Sequence, residues 1–147
     1  LEYNGHRTRL DGFCEHMKKK GFASEQIEIE ETYNDYRVTY NRVTAALTSE
    51  NPPAAIYMAN RSVTGCVDAL KSAGMDGRVR VIAHDMSPRR KQMLLEGSLD
   101  LTITQDLFRQ GSQPLLLLAD LLQKGKQPES GIKSTGISII CAQNIDE

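Results

Sequence analysis

Apolar residues recur along this chain at two spacings, one typical of amphipathic helices and the other typical of strands. Spacings of three and four residues predict helices over residues 8–20, 36–47, 62–73, 88–96 and 108–124. Shorter apolar or alternating runs predict strands over residues 27–30, 54–59, 79–83, 99–104 and 137–140. Because strands alternate with helices long enough to cross over a sheet, we predict an α/β fold, an open parallel sheet flanked by helices.

Cap and turn residues mark several of the predicted helix boundaries. Ser87 and Pro88 form a typical N-cap followed by proline at the first helical position, and Gly97 ends that helix. Pro114 falls inside the last predicted helix, where it must either kink the helix or mark its true start.

Four polar residues stand where apolar runs end or where a helix begins. Asn60, Asp85 and Gln105 lie at the ends of predicted strands, and Arg9 lies in the first turn of the first predicted helix. In an open parallel sheet, ligands bind outside the carboxyl ends of the strands. These residues therefore predict one shared site for a small polar molecule.

The composition limits the classes of function. With 147 residues, the chain fits one domain that can bury a real core without metal or disulfides. Lys and Arg total 18 against 19 Asp and Glu, a net charge of -1, so the chain lacks the basic surface of nucleic-acid-binding proteins. The three cysteines, Cys14, Cys66 and Cys141, are widely spaced and odd in number, which favours buried thiols in a reducing compartment.

Several common signals are absent from the sequence. No stretch approaches the roughly 18 apolar residues needed to span a bilayer, and the first residues have no signal-peptide character. The chain begins at Leu1 instead of methionine, so we expect it to be a fragment of a longer protein. Phosphate loops, zinc-ligand spacings and nucleotide fingerprints are lacking, so we predict no cofactor and no metal.

With its polar residues placed in this way, the chain resembles the sugar-binding sensor module of LacI-type transcription regulators and of periplasmic ribose-binding proteins. The likeness begins with Arg9, placed four residues before an aromatic residue that follows glycine, Phe13 after Gly12. It continues with strands that end in asparagine, aspartate and glutamine, over residues 54–60, 79–85 and 99–105. These motifs follow the family's order and together cover nearly the whole chain.

This resemblance implies a two-lobed fold in which an effector binds in a hinged cleft. The chain would be a single effector-binding module that supplies most of the carboxy-terminal lobe, from about residues 1–105 and 131–147. The helix over residues 106–125 would pack with the other lobe. The sequence departs from the family at Arg61, where an acid usually follows the asparagine, and at Ala83 and His84, where glycine and an aromatic residue are usual.

The chemistry of the four polar positions suits a polyol. The forked guanidinium of Arg9, the acceptors of Asp85 and the amides of Asn60 and Gln105 match adjacent sugar hydroxyls. By resemblance, Tyr36 would pack on the apolar face of a sugar ring, and Arg61 and His84 are further candidates. Other roles remain open: helix caps for Asn60, Asp85 and Gln105, core packing for Tyr36, and a solvated side chain or salt bridge for Arg61.

Three functional hypotheses follow from these observations. The first is the effector-binding domain of a cytoplasmic LacI-type regulator, a homodimer in which sugar binding controls a DNA-binding headpiece outside this chain. The second is a periplasmic sugar-binding protein of an ABC uptake system. The third, from a different class, is a flavodoxin-like enzyme with Asp85 as nucleophile or metal ligand at a switch point. We expect a binding protein that is not an enzyme.

Overall fold

The computed structural model describes residues 4–129, 131 and 136–145 of the chain. Helices and strands alternate through most of it, as the apolar spacing predicts. A short 3-10 turn at Ser24–Gln26 follows the first helix. The helices are α1 (Asn4–Lys19), α2 (Tyr36–Leu47), α3 (Val63–Ser72), α4 (Pro88–Glu96) and α5 (Leu107–Lys124), and the strands are β1 (Ala55–Tyr57), β2 (Arg80–His84), β3 (Leu101–Gln105) and β4 (Ile137–Ile140).

The described strands form one sheet in the order β1-β2-β3-β4. The pairs β1–β2 and β2–β3 are parallel, which confirms the α/β fold class, whereas β4 runs antiparallel to β3. The predicted parallel sheet therefore holds for β1, β2 and β3 but is wrong for β4, because an apolar pattern marks a strand and not its direction.

The main core lies between one face of the sheet and the helices α2, α3 and α4. Val81 and Ala83 of β2 alternate with the less buried Ile82, so they project from the same face. They pack in one apolar cluster with Val43 of α2, Leu70 of α3 and Met93 of α4, among other residues.

Helix α1 contacts the opposite face of the sheet. The ring of Phe13 stacks on Tyr57 of β1, with centroids 4.6 Å apart and an interplanar angle of 7°. Tyr57 in turn meets His84 of β2 edge-on, with ring centroids 5.4 Å apart. This aromatic contact fixes α1 against the sheet close to the carboxyl ends of β1 and β2.

The segment 27–30, predicted as a strand, is not one. Within the described part of the chain it pairs with no other strand, and β1 is the edge of the sheet on that side. Alternation of apolar and charged residues favours a strand only where a partner supplies the ladder hydrogen bonds.

The helix α5 continues through Pro114, which therefore neither starts nor ends it. Asp106 caps it, because the carboxylate accepts a hydrogen bond from the backbone N–H of Arg109. None of the residues of α5, all of which the structure describes, is buried. Among the described helices, none combines the length and the apolar character needed to cross a membrane.

Candidate functional site

The carboxyl ends of β1 and β2 lie side by side, and Arg9 of α1 connects them. Its Nη1 donates a hydrogen bond to the carbonyl oxygen of Ala59, over 3.2 Å. Its Nη2 lies 3.5 Å from Oδ1 of Asp85, in an ion pair whose side chains are 19% and 32% exposed. Because α1 begins at Asn4, Arg9 lies in its second turn and not in the first turn that the sequence predicted, and its anionic partner is Asp85.

The backbone of Asp85 is held in an uncommon conformation. Its φ of 65° lies in the left-handed region, which aspartate tolerates better than most residues. The N–H donates to the carbonyl of Ile103 over 2.9 Å, and the carbonyl accepts from the Thr102 hydroxyl, also over 2.9 Å. Asp85 is therefore fixed to β3, with its carboxylate directed to Arg9.

Asn60 orders the loops beside Asp85. Its amide nitrogen donates to the hydroxyl of Thr32 over 2.6 Å, and its amide oxygen accepts from the N–H of Ser62 over 3.1 Å. Helix α3 has Ser62 at its N-cap position and α4 has Ser87, so neither Asn60 nor Asp85 occupies the cap that the sequence left open for them.

Two further arginines lie at the same edge of the sheet. The backbone N–H of Arg61 donates to the side-chain oxygen of Asn34 over 2.9 Å, and the Arg61 side chain is exposed. The guanidinium of Arg90 donates to the carbonyl oxygens of Asp85 and Arg61, over 3.4 and 3.3 Å. We call Arg9, Arg61 and Arg90 the arginine cluster.

His84 is a buried residue of the site, beneath the arginine cluster. Its Nε2 lies 2.6 Å from the hydroxyl of Tyr57. Burial, with a smaller contribution from the charge of Arg9, lowers the pKa of His84 to about 4. Burial and the charge of Arg9 also lower the pKa of His6. Both imidazoles are therefore largely neutral near neutral pH.

The remaining predicted residues are placed differently. Gln105 ends β3 at the same edge of the sheet, but its side-chain oxygen accepts from Gln110 of α5 over 2.7 Å. The Tyr36 hydroxyl donates to the carboxylate of Asp68 on α3 over 2.9 Å, and 47% of Tyr36 is exposed. Among the described residues, no hydrogen bond or ion pair joins either side chain to Arg9, Asn60 or Asp85.

Sequence reasoning missed four residues that build the site: Thr32, Asn34, Tyr57 and Arg90. Only Arg90 carried a usable signal, because a cation in the first turn of a helix opposes the dipole unless something compensates for it. Groups of three or more His, Cys, Asp or Glu residues that could hold a metal are absent from residues 4–129, 131 and 136–145.

Residues 1–127 match the sequence family described as "Periplasmic binding protein domain". The chain belongs to this family. The match covers all the residues of the site described above. It is a family of binding domains, which agrees with the resemblance drawn from the motifs. No curated protein sequence matches the chain.

Solved structures of similar fold include several members of ABC transport systems. A solute-binding protein from Agrobacterium vitis with bound alpha-D-tagatopyranose has a TM-score of 0.82 and 23% identity, over 97% of this chain and 47% of that one. A second protein from that organism, with bound D-fucose, has a TM-score of 0.70 and 25% identity, over 82% of this chain and 41% of its own.

A further similar structure is the periplasmic ribose ABC transporter protein of Conexibacter woesei. Its TM-score is 0.76 and its identity 22%, over 90% of this chain and 45% of that one. This chain thus spans less than half of the length of each of these proteins.

Proposed function

We propose that this chain forms one wall of a sugar-binding cleft, with the ligand held at the carboxyl ends of β1 and β2. The observation that carries the proposal is the Arg9–Asp85 pair, which links the two strand ends at 3.5 Å while both side chains remain partly exposed. Ligands of open α/β sheets bind at this edge. The two side chains are thus already paired in this structure and remain accessible to a ligand.

The groups at this edge suit hydroxyl ligands. The carboxylate of Asp85 accepts from two hydroxyls, while the fork of Arg9 has donors that are not used by Asp85 or Ala59. Vicinal hydroxyls of a sugar present donors and acceptors at matching separations. In this proposal Gln105 turns from Gln110 to the ligand, while Tyr36 joins α2 to α3 through its hydrogen bond to Asp68.

The proposal includes a second lobe. Residues 1–105 and 131–147 would form the carboxy-terminal lobe, although residues 1–3, 130, 132–135, 146 and 147 lie outside those that the structure describes. Residues 106–125 would pack with the other lobe. In support, five leucines of α5 are more than half exposed, Leu107, Leu115, Leu116, Leu118 and Leu122. The chain also covers less than half of its relatives' length.

Within this framework, a receptor of an ABC uptake system is the better supported class. The similar structures described above are all named as proteins of ABC transport systems, and two of them were determined with a bound sugar. A receptor of this class works in the periplasm or at the cell surface and delivers its ligand to a membrane transporter.

The LacI-type regulator remains the second candidate, and its support comes from the cysteines. Cys14, Cys66 and Cys141 are free thiols, as expected for a reducing compartment. Such a regulator would be a homodimer and would bind DNA through a separate headpiece.

Fractionation of cells that express the natural protein distinguishes the two candidates, because a receptor is exported and a regulator stays with the DNA.

The proposed function is tested by thermal unfolding of the natural protein that contains this sequence. Pentoses, hexoses, inositols, uronic acids and sugar phosphates are added one at a time. A ligand at one hundred times its Kd stabilises the folded state by about 2.7 kcal/mol, so a true ligand raises the Tm by several degrees. A folded protein whose Tm responds to none of these compounds would contradict the proposal.

A further inference from the structure

The charges at the proposed ligand edge do not balance. The arginine cluster brings the guanidinium groups of Arg9 from α1 and of Arg90 from α4 to the ends of two neighbouring strands, and Arg90 also binds the backbone of Arg61 in the loop after β1. Among the described residues, Asp85 is the only carboxylate in an ion pair with any of them. This edge of the sheet thus carries three arginines and one carboxylate paired with them, which leaves an excess of two positive charges.

The nearby ionisable groups do not remove this excess. His6 and His84 are largely neutral near neutral pH, because burial lowers the pKa of each. Glu31 lies on the adjacent loop, where its carboxylate accepts from the Tyr33 hydroxyl over 3.3 Å. Burial lowers the pKa of Arg90, the charge of Asp85 raises it, and the charges of Arg61 and Arg9 lower it again, so Arg90 is close to both the carboxylate and the other two cations.

The present partners of Arg90 are weak ones. Its two hydrogen bonds run to neutral carbonyl oxygens at 3.3 and 3.4 Å, at the long end of the useful range. Its Nε is buried and, among the described residues, has no hydrogen-bond partner. A carboxylate or phosphate oxygen forms shorter and roughly twice as strong bonds with a guanidinium group. An anion is therefore the ligand group that Arg90 would prefer to these carbonyls, and the exposed guanidinium of Arg61 supplies a second cation beside it.

We infer that the ligand of this site is a polyol that carries an oxyanion, either a carboxylate, as in a uronic acid, or a phosphate ester. The inference rests on the proposed function and deepens it by naming the chemical class of the ligand. The hydroxyls of the ligand lie against Arg9 and Asp85, and its oxyanion lies between Arg61 and Arg90.

Because Arg61 is exposed, its side chain forms the outer side of this subsite. Its backbone is fixed by Asn34 and by the guanidinium of Arg90, whereas its side chain extends into solvent. Replacement of Arg61 therefore removes a charge without disturbing the core. Arg89 is a matched control, because it is the next residue to Arg90 on α4, is exposed, and donates to Gln92 of its own helix.

The test is calorimetric titration of the natural protein and of its Arg61→Gln and Arg89→Gln variants. The probes are galacturonate, galactose 6-phosphate and galactose, with glucuronate, glucose 6-phosphate and glucose as a second set. We expect an anionic probe to bind at least about tenfold more tightly than its neutral counterpart, the size of one charged hydrogen bond. Arg61→Gln should remove most of this preference, and Arg89→Gln should leave it unchanged.

Each outcome of this experiment is decisive. Tighter binding of the uronate or of the phosphate supports the inference and identifies the oxyanion. Equal or tighter binding of the neutral sugar overturns the inference but supports the proposed sugar-binding function. A preference for anions that survives in Arg61→Gln overturns the assigned subsite. Absence of binding for every probe, with the protein folded, overturns the inference, and the Tm measured with the wider panel of pentoses and inositols then decides the proposed function.

Discussion

Asp85 combines a left-handed backbone with a carboxylate that faces Arg9 at 3.5 Å. The conformation matters for any experiment on this residue. Alanine in the left-handed region costs about 1–2 kcal/mol, whereas asparagine adopts it routinely. An alanine variant would therefore mix backbone strain with the loss of the carboxylate, and asparagine is the cleaner replacement.

We predict that Asp85→Asn weakens ligand binding by at least about tenfold, because a hydrogen bond to a charged group contributes about 1.5–3 kcal/mol. The free energy of unfolding of this variant should change by no more than about 1 kcal/mol, since the pair with Arg9 is partly exposed. Calorimetric titration and chemical unfolding measure the two quantities. Asp76→Asn, in an exposed turn away from the cluster, is the control. Unchanged affinity in Asp85→Asn would remove Asp85 from the site.

His84 makes stability depend on pH. Burial lowers the pKa of its imidazole to about 4, with a smaller contribution from the charge of Arg9. A histidine in the unfolded chain has a pKa of about 6.5. The unfolded chain therefore binds the proton first as the pH falls. The contribution of neutral His84 is complete above about pH 6.5 and is lost progressively towards about pH 4.

We expect His84→Gln to reduce this acid sensitivity, since glutamine keeps a hydrogen-bond partner for Tyr57 but does not titrate. The measurement is the Tm at several points between about pH 7 and pH 4.5, a window set by the two pKa values. The Tm of the native chain should fall more steeply than that of the variant. Parallel curves for the two proteins would show that His84 titrates normally in the fold.

At the residue scale, the sequence predicted the site residues that stand at the ends of clear apolar patterns. Arg9 was predicted because it stood at a predicted helix start, and Asp85 because it ended a buried strand. Thr32 and Asn34 were not predicted, since their partners, Asn60 and Arg61, lie on a distant loop of the chain. Contacts of this kind depend on the tertiary path of two loops, which no local pattern specifies.

At the scale of elements, the contact of α2 with α3 depends on Gly65. A Cβ at this position would lie 2.6 Å from the carbonyl oxygen of Tyr36 and 3.2 Å from the Cβ of Thr39. The first contact is to backbone, which cannot rotate away. The two helices can therefore approach as they do only with glycine at position 65.

We predict that Gly65→Ala lowers the free energy of unfolding by about 1–3 kcal/mol, the usual cost of overpacking. Gly12→Ala in α1 is the matched control, because a Cβ there meets nothing within 4 Å. In this second variant, alanine should be neutral or should stabilise the helix by up to about 1 kcal/mol. Urea unfolding measures both values, and equal effects in the two variants would contradict the close approach at Gly65.

The helices were the most predictable elements because their signals are local. Ser87 accepts a hydrogen bond from the N–H of Arg90 at the start of α4, where the sequence predicted the cap, and Asp35 accepts one from Val38 at the start of α2. Strands were less certain, as residues 27–30 show. Their pattern suits a strand, but strand formation depends on a neighbour that is specified elsewhere in the chain.

At the scale of the whole molecule, α5 has an apolar surface that the described part of the chain does not bury. Leu122 is 75% exposed and Leu115 68% exposed. In the proposed two-lobed protein, the second lobe covers this surface. The same arrangement would account for the small share of each relative's length that this chain represents.

We expect Leu122→Glu to destabilise the natural protein by about 2–4 kcal/mol, through lost apolar burial and an unpaired charge at the interface. Gln123→Glu, at the next position of the same helix, adds the same charge and should have little effect. Thermal and chemical unfolding of both variants give the comparison. A Leu122→Glu protein as stable as the control would mean that α5 faces solvent in the natural protein.

The account depends most on the location of the ligand, so the most direct measurement is a crystal structure of the natural protein with its tightest-binding sugar. We predict ligand hydroxyls within hydrogen-bond distance of Asp85 and Arg9, at the carboxyl ends of β1 and β2. A sugar bound elsewhere, with the Arg9–Asp85 pair untouched, would contradict the proposed site.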